Sequence, residues 1–415
     1  MIRIFIISSI LFLYSQLNFS QWFTQNSPHA HNKWSVFFTD ADNGCAVGGF
    51  GLIIKTTNGG QDWAISDSVG NLLEAVYFAD ANTGWAVGSS GLIIKTTDAG
   101  SSWITRPSGE TNLISSVHFV DVTTGWVVGQ ANIINKTTNG GLSWVSQTSG
   151  FSTSWWTSIF FVSADTGWVV DRRENSATPI LKTTNGGLLW VTQQSGTNTS
   201  LNEVYFIDAD TGYIAGKLGT ILKTTNGGTD WFVLNSGINE ELFSVFFTDF
   251  NTGWVAGRTG SGSSGTILKT TNGGISWVNQ PSGTLEDIHS LYFIDSNTGY
   301  AVGESGIILK TTNGGVTFIE EEEINEIPTD YILSQNYPNP FNPSTTISYS
   351  VSELSFVTFK VYDVLGNEIQ TLVNEEKPVG SYEVEWNASD VPSGVYFYQL
   401  KTKGYLETKK MVLLR

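Results

Sequence analysis

The sequence predicts an all-β protein, a seven-bladed β-propeller followed by an immunoglobulin-like β-sandwich. Three observations carry that reading. Lysines that open the turn "KTTNGG" or a variant recur at 55, 95, 136, 182, 223, 269 and 310. A second landmark, the glycine of "TGW" and its variants, recurs at 44, 84, 125, 167, 212, 253 and 299. The last eighty or so residues abandon both landmarks for short alternating segments broken by Pro, Gly and Asn.

Each repeat divides into four short strands. In the second unit "VYF" (residues 76–78) alternates apolar positions and ends at the turn "DANTG". "WAVG" follows, then a Gly-containing loop, then "LIIKTT". The turn "TDAG" leads to a fourth strand that opens on Trp. Four strands in roughly 40–45 residues is the size of a propeller blade. No helical periodicity interrupts the pattern.

Composition agrees. Aromatic residues make up 13% of the 415 and charged residues only 14%, with 44 Gly and 15 Trp. Ten of the Trp fall in two columns: after the turn (63, 103, 144, 190, 231, 277) and after "TG" (85, 126, 168, 254). A recurring large aromatic is what stacked sheets need, since each buries its face only against its neighbours. The sole cysteine, Cys45, replaces the aromatic of the second column and forms no internal disulfide, so packing is its expected role.

A net charge of −17 argues against nucleic acid and anionic membrane surfaces as partners. Residues 1–20 read as a signal peptide: one Arg, then an apolar run over 4–13 that is too short to span a bilayer. No later segment resembles a membrane span. Residues 21–319 hold the propeller, 320–330 an acidic linker, and 331–415 the terminal domain. The early strand-like "QWFTQNSP" places Trp22 as a post-turn Trp would be placed, and it competes with 316–320 to complete the last blade.

The turn itself invites a phosphate-loop reading, which fails because the Lys precedes the glycines and no helix follows. Thr96, Asp98, Gly100 and Trp103 instead match the Asp-box pattern most closely, and the other six copies carry Asn for the Asp. On these residues the repeats resemble the Ycf48/HCF136-like photosystem II assembly factor (BNR/Asp-box) family, and more loosely the Asp-box sialidases. That resemblance implies a seven-bladed propeller. "NYPNPFNPSTTI", "VYDVLGNEI", "WNASDVPSGVYFY" and the final "KKMVLLR" resemble the type A C-terminal sorting domain of the Por, or type IX, secretion system. This implies Sec passage, then delivery by the type IX machinery to the outer-membrane surface or beyond. A protein so delivered is not placed to assemble photosystem II.

If the strands run as propeller strands do, ligands are expected on the face opposite the Asp-box turns. From the "TG" glycine to the turn lysine takes 11 residues in five units, but 15 from 167 to 182 and 16 from 253 to 269. The extra residues, 171–179 and 258–265, bring Arg172, Arg173 and Arg258. Off-column Trp34, Trp155 and Trp156, with His289, lie just before first strands. Arginine beside an exposed aromatic suits sugar or peptide recognition. These seven residues form the expected ligand site; the alternative is that Trp156 fills the apolar position of Leu73, Leu201 and Leu242, and that the insertions are solvated loops.

No cofactor, metal or catalytic residue is assigned. His29 and His31 lack a third ligand nearby, and the repeated Asp at 40, 80, 121, 208, 249 and 295 suits turn capping better than calcium. The arginine arrangement of a sialidase is absent. The favoured function is therefore a secreted or cell-surface binding or scaffold propeller for an unidentified glycan or protein. The alternative is a secreted glycoside hydrolase using facing carboxylates such as Glu241, Asp287 or Asp171.

Overall fold

A computed structural model describes residues 22–173, 179–258, 265–315 and 330–414. The expected signal peptide, the acidic linker up to residue 329 and the competing segment 316–320 lie outside these residues. The chain divides into two compact units, Met1–Thr317 and Phe318–Arg415.

Among the described residues the first unit contains seven four-stranded antiparallel sheets. Their first strands are Lys33–Phe38, Leu73–Phe78, Ile114–Phe119, Trp156–Phe161, Leu201–Phe206, Leu242–Phe247 and Ile288–Phe293. Each of these strands packs against the next, and the seventh packs against the first, so the sheets form a closed β-propeller with first strands around a central channel. Second strands such as Gly84–Gly88 are buried at every position because neighbouring sheets cover both faces. The glycine that opens them has no substitute: a Cβ on Gly44 would come within 2.5 Å of the Phe38 ring.

The repeated turn is locally self-sufficient. Thr56 Oγ1 donates to Asn58 Oδ1 (3.0 Å) and accepts the Gly60 amide (2.8 Å), while Asn58 Oδ1 also accepts the Asp62 amide (3.0 Å). Gly59 and Gly60 take φ of 65° and 80°, open to glycine without strain. The Asp of the first-to-second-strand turn accepts two amides of its own loop, as Asp80 does from Asn82 and Thr83. It caps a turn, as its spacing suggests.

The motif also ties sheets together, which its local pattern does not reveal. Trp85 stacks on Phe119 of the next sheet at 3.5 Å between centroids. Its indole N–H and the Lys95 ammonium both donate to the Gly140 carbonyl in that sheet's turn (3.2 and 3.0 Å), and the ammonium lies over the Trp85 ring. Tyr300 and Lys310 repeat the latch from the seventh sheet to Gly59 of the first. At the seam between the first two sheets Cys45 supplies neither ring nor donor, and Lys55 reaches Ser101 Oγ instead (3.2 Å).

The seventh sheet takes its outer strand from the N-terminal side. Phe23–Thr24 pairs with Ile308–Thr311, and Trp22, 1% exposed, meets Phe293 edge-on at 5.8 Å. Every other post-turn Trp makes the same edge contact with the Phe of its own sheet, as Trp63 does with Phe38. Trp22 therefore takes the place of the missing seventh Trp.

Inside the channel, Phe37, Tyr77, His118, Phe160, Tyr205, Phe246 and Tyr292 form an unbroken ring of aromatic neighbours with centroids 4.7–5.3 Å apart. Serines two residues earlier bridge adjacent first strands, as Ser35 Oγ does to the Val76 amide (3.2 Å). Glu203 replaces one of these serines and accepts the Val245 amide (2.6 Å). Burial lowers the His118 pKa to about 4 and raises the Glu203 carboxyl to about 7. An unfolded histidine titrates near ~6.5, so His118 contributes full stability above that pH and loses it as pH falls towards 4, on the order of 3 kcal/mol in all. Glu203 acts oppositely: its buried charge is unfavourable above pH 7, and protonation relieves it as pH falls towards 4.5. The two offset in the wild type. His118→Phe, which copies Phe37 and Phe160, removes the hydrogen bond to the Phe161 backbone at every pH. Its effect relative to wild type is therefore expected to be roughly 2 kcal/mol more favourable at pH 5 than at pH 8, as denaturant titration at the two pH values would show.

The second unit holds a three-stranded sheet, Ile332–Leu333, Ser344–Val351 and Gly380–Asn387, and a four-stranded one. The latter runs Glu368–Lys377, Ser355–Tyr362, Gly394–Lys401, Leu406–Leu413. Alternating inward residues such as Ile347, Phe359, Trp386, Tyr398 and Met411 form one buried core.

Candidate ligand site at the mouth of the channel

First strands begin on the face where second strands end, since Lys33 registers with Gly48 and Leu73 with Gly88. The Asp-box turns lie at the other face, where the Gly59 amide bonds the Asp42 carbonyl of the first-to-second-strand turn. The second residue of each first strand therefore stands near one mouth of the channel. These residues are Trp34, Glu74, Ser115, Thr157, Asn202, Phe243 and His289, seven different side chains at a position equivalent in all seven sheets. The flanking positions repeat closely: the third is Ser in five of the seven strands, and the sixth is always Phe.

The mouth residues touch one another around the ring. Trp34 and His289 lie 4.0 Å apart between centroids, and His289 and Phe243 5.3 Å. Trp155 donates from its indole to Ser115 Oγ (3.1 Å), and the Arg172 guanidinium lies over its ring at 5.0 Å. Arg172 pairs with Glu241 at 3.7 Å, and Asn202 donates to the same carboxylate (3.2 Å). Arg258 reaches Glu241 at 3.8 Å and Asp287 at 3.3 Å, and lies over Phe243. Both arginines are well exposed, at 40% and 56%, while Glu241 is 7% exposed.

Burial perturbs two titratable groups at the mouth. Burial raises the Glu74 carboxyl to about 7, with Arg172 pulling it the other way. His289 falls to about 4, chiefly by burial, and its Nε2 is buried with no hydrogen-bond partner. It is a neutral imidazole at pH 7.

Of the seven expected site residues, Trp34, Trp155, Arg172, Arg258 and His289 meet here. Trp156 does not: fully buried, it packs with Trp126, Ile159 and Trp190 and donates to Asn132 Oδ1 (3.0 Å). It fills the apolar slot that Leu73, Ile114, Leu201 and Leu242 fill in other sheets. Arg173 also turns away, bonding the fully buried Asp171 (2.6 Å) and lying over Phe151. Residues 174–178 and 259–264 of the two insertions lie outside the described residues. Glu74, Ser115, Asn202 and Phe243 escaped sequence reasoning, although the one position that varies across every repeat marks them all. His29 and His31 stack on each other, and their carbonyls accept the buried Lys33 ammonium (3.0 and 3.2 Å).

Fold and repeat chemistry define a β-propeller of the Asp-box class joined to a separate C-terminal β-sandwich. Residues 335–414 match the family model of the secretion system C-terminal sorting domain. Residues 14–106 and 67–149 match, in two overlapping stretches, that of the photosynthesis system II assembly factor YCF48. The C-terminal domain thus marks the chain for export by the type IX system. Among solved structures, YCF48 bound to D1 peptide is similar at 19% identity and a TM-score of 0.60, covering 72% of this chain and 96% of that one. YCF48 from Cyanidioschyzon merolae gives 20% and 0.58, covering 70% and 98%. The GH74 enzyme of Niastella koreensis gives 12% and 0.58, covering 94% and 74%. Likenesses at these identities are likenesses of fold. No curated protein matches the chain. Among the described residues no helix is long and apolar enough to cross a membrane.

Proposed function

We propose that the chain is a secreted or cell-surface binding protein of a Gram-negative bacterium, exported through its sorting domain, with its ligand held at the channel mouth. One observation carries this reading. On a scaffold that repeats its chemistry seven times, the seven first-strand side chains at one mouth all differ, and two exposed arginines and a half-buried Trp155 join them. Packing demands repetition, as the columns of Trp and Phe display; departure from it at a solvent-facing rim is the mark of selection for a partner. Alanine at Trp155, Arg172 and Arg258 together is expected to abolish binding of the full chain to its surface ligand while leaving its melting temperature within a few degrees. Unchanged affinity in an equilibrium binding assay would sink the assignment.

A second reading, a glycoside hydrolase, has one observation in its favour. Glu74 is a carboxyl held near pH 7, fit to donate a proton, while Asp287 lies beside Arg258 on the same mouth. Turnover of a chromogenic glycoside that Glu74→Gln abolishes would establish it, and no turnover across a broad panel would remove it.

A further inference from the structure

We infer that the channel mouth takes a neutral, hydroxyl-rich ligand, an oligosaccharide. The inference rests on the mouth-site reading above and commits it to one chemistry.

Charge disfavours the anionic alternatives. Of the cations described at the mouth, Arg172 and Arg258 are both engaged by Glu241, with Arg258 also held by Asp287. Glu74 adds a third acid. Nearby, Glu304 lies in the fields of Asp287 and Glu286, which help burial to raise its carboxyl. An anionic ligand, whether a peptide's free carboxylate or an acidic sugar, would have to displace Glu241, itself nearly buried and bonded by Asn202. A cationic ligand is no better served. The guanidinium groups of Arg172 over Trp155 and of Arg258 over Phe243 repel it at those rings.

A hydroxyl meets neither obstacle. It donates and accepts at once, so it can extend a paired arginine–carboxylate network without breaking it. The same property suits the unpartnered His289 Nε2, which a hydroxyl satisfies in either tautomer, whereas a carboxylate or an ammonium satisfies only one. Half-buried Trp34 and Trp155 stand in different parts of the rim, Trp34 against His289 and Trp155 against Ser115. Their ring faces are electron-rich and favour the weakly positive C–H faces of a sugar. The rim thus offers two indole rings, Trp155 with Arg172 over one face and Trp34 beside His289, separated by polar side chains, a pattern that suits a short saccharide chain.

The test uses the purified full-length protein on an array of neutral and acidic glycans, beside hexapeptides with a free carboxylate or an amidated end bearing lysine. Calorimetry then follows with whichever probe binds. The expected result is a neutral glycan whose affinity is the same at low and high salt, because no net charge is screened. It should fall roughly tenfold or more in Trp34→Ala and in Trp155→Ala. Trp155→Phe, which keeps a ring, should retain most of the affinity and so separates lost stacking from lost folding. Binding confined to acidic glycans or to peptides, and lost in the same alanine variants, would overturn the carbohydrate inference while keeping the mouth as the site. A neutral glycan that binds all variants equally would overturn both. Failure of every probe would count against both as well.

Discussion

Trp22→Ala is expected to destabilise the propeller by about 3–5 kcal/mol, the cost of removing a fully buried Trp from a packed site. In a unit of this size that lowers the melting temperature by on the order of 10 °C. The effect is large because Trp22 does two things. It fills the seventh edge-on Trp slot against Phe293, in a core with Trp254 and Ile288, and it anchors the short strand Phe23–Thr24 against Ile308–Thr311. Thermal unfolding followed by tryptophan fluorescence checks it. A shift under about 2 °C would mean that another segment, such as 316–320, completes the last sheet in solution.

The second large effect lies at the seams. Trp126→Ala removes a fully buried ring stacked on Phe161 at 3.6 Å, and with it the donor to the Gly186 carbonyl (3.2 Å). A cost of about 3–5 kcal/mol is expected. Trp126→Phe keeps the stack and loses the hydrogen bond, so about 1 kcal/mol of direct loss is expected beyond repacking. Cys45→Ala at the first seam removes one small buried atom and no latch, and should cost about 1 kcal/mol or less. Urea midpoints for the three variants would rank them. Equal losses at Trp126 and Cys45 would contradict the latch.

Most of the architecture was legible because each repeat carries its own turn chemistry and its own aromatic columns. What the repeat hid was the purpose of its lysine. Lys95 looks like part of a local turn, yet its partner is the Gly140 carbonyl one sheet away. Such a contact becomes visible only once sheets are placed side by side. The site divides along similar lines. Trp34, Arg258 and His289 stood out as departures from the columns and do line the mouth. Trp156 stood out in the same way, but a Trp occupies the slot of Leu73 by packing alone. Arg173 was indistinguishable by composition from Arg172; a glycine-to-acid exchange, Asp171 where other second strands end in Gly, was the signal that one arginine would fold back. Glu74 and Phe243 lay in plain view inside strands, and only the alignment of repeats on one another exposes them.

The outer strand of the seventh sheet has a consequence for the order of events during folding. The segment around Trp22 precedes its partner in the chain and is paired only when Ile308–Thr311 has followed it. Until then the first sheet has no neighbour on one side, and each later sheet presents a bare flank to solvent. Such a contact between distant parts of the chain forms late and makes the finished ring all-or-none, unlike an open array that can fray from either end. The joined ends then convert seven similar sheets into one cooperative body.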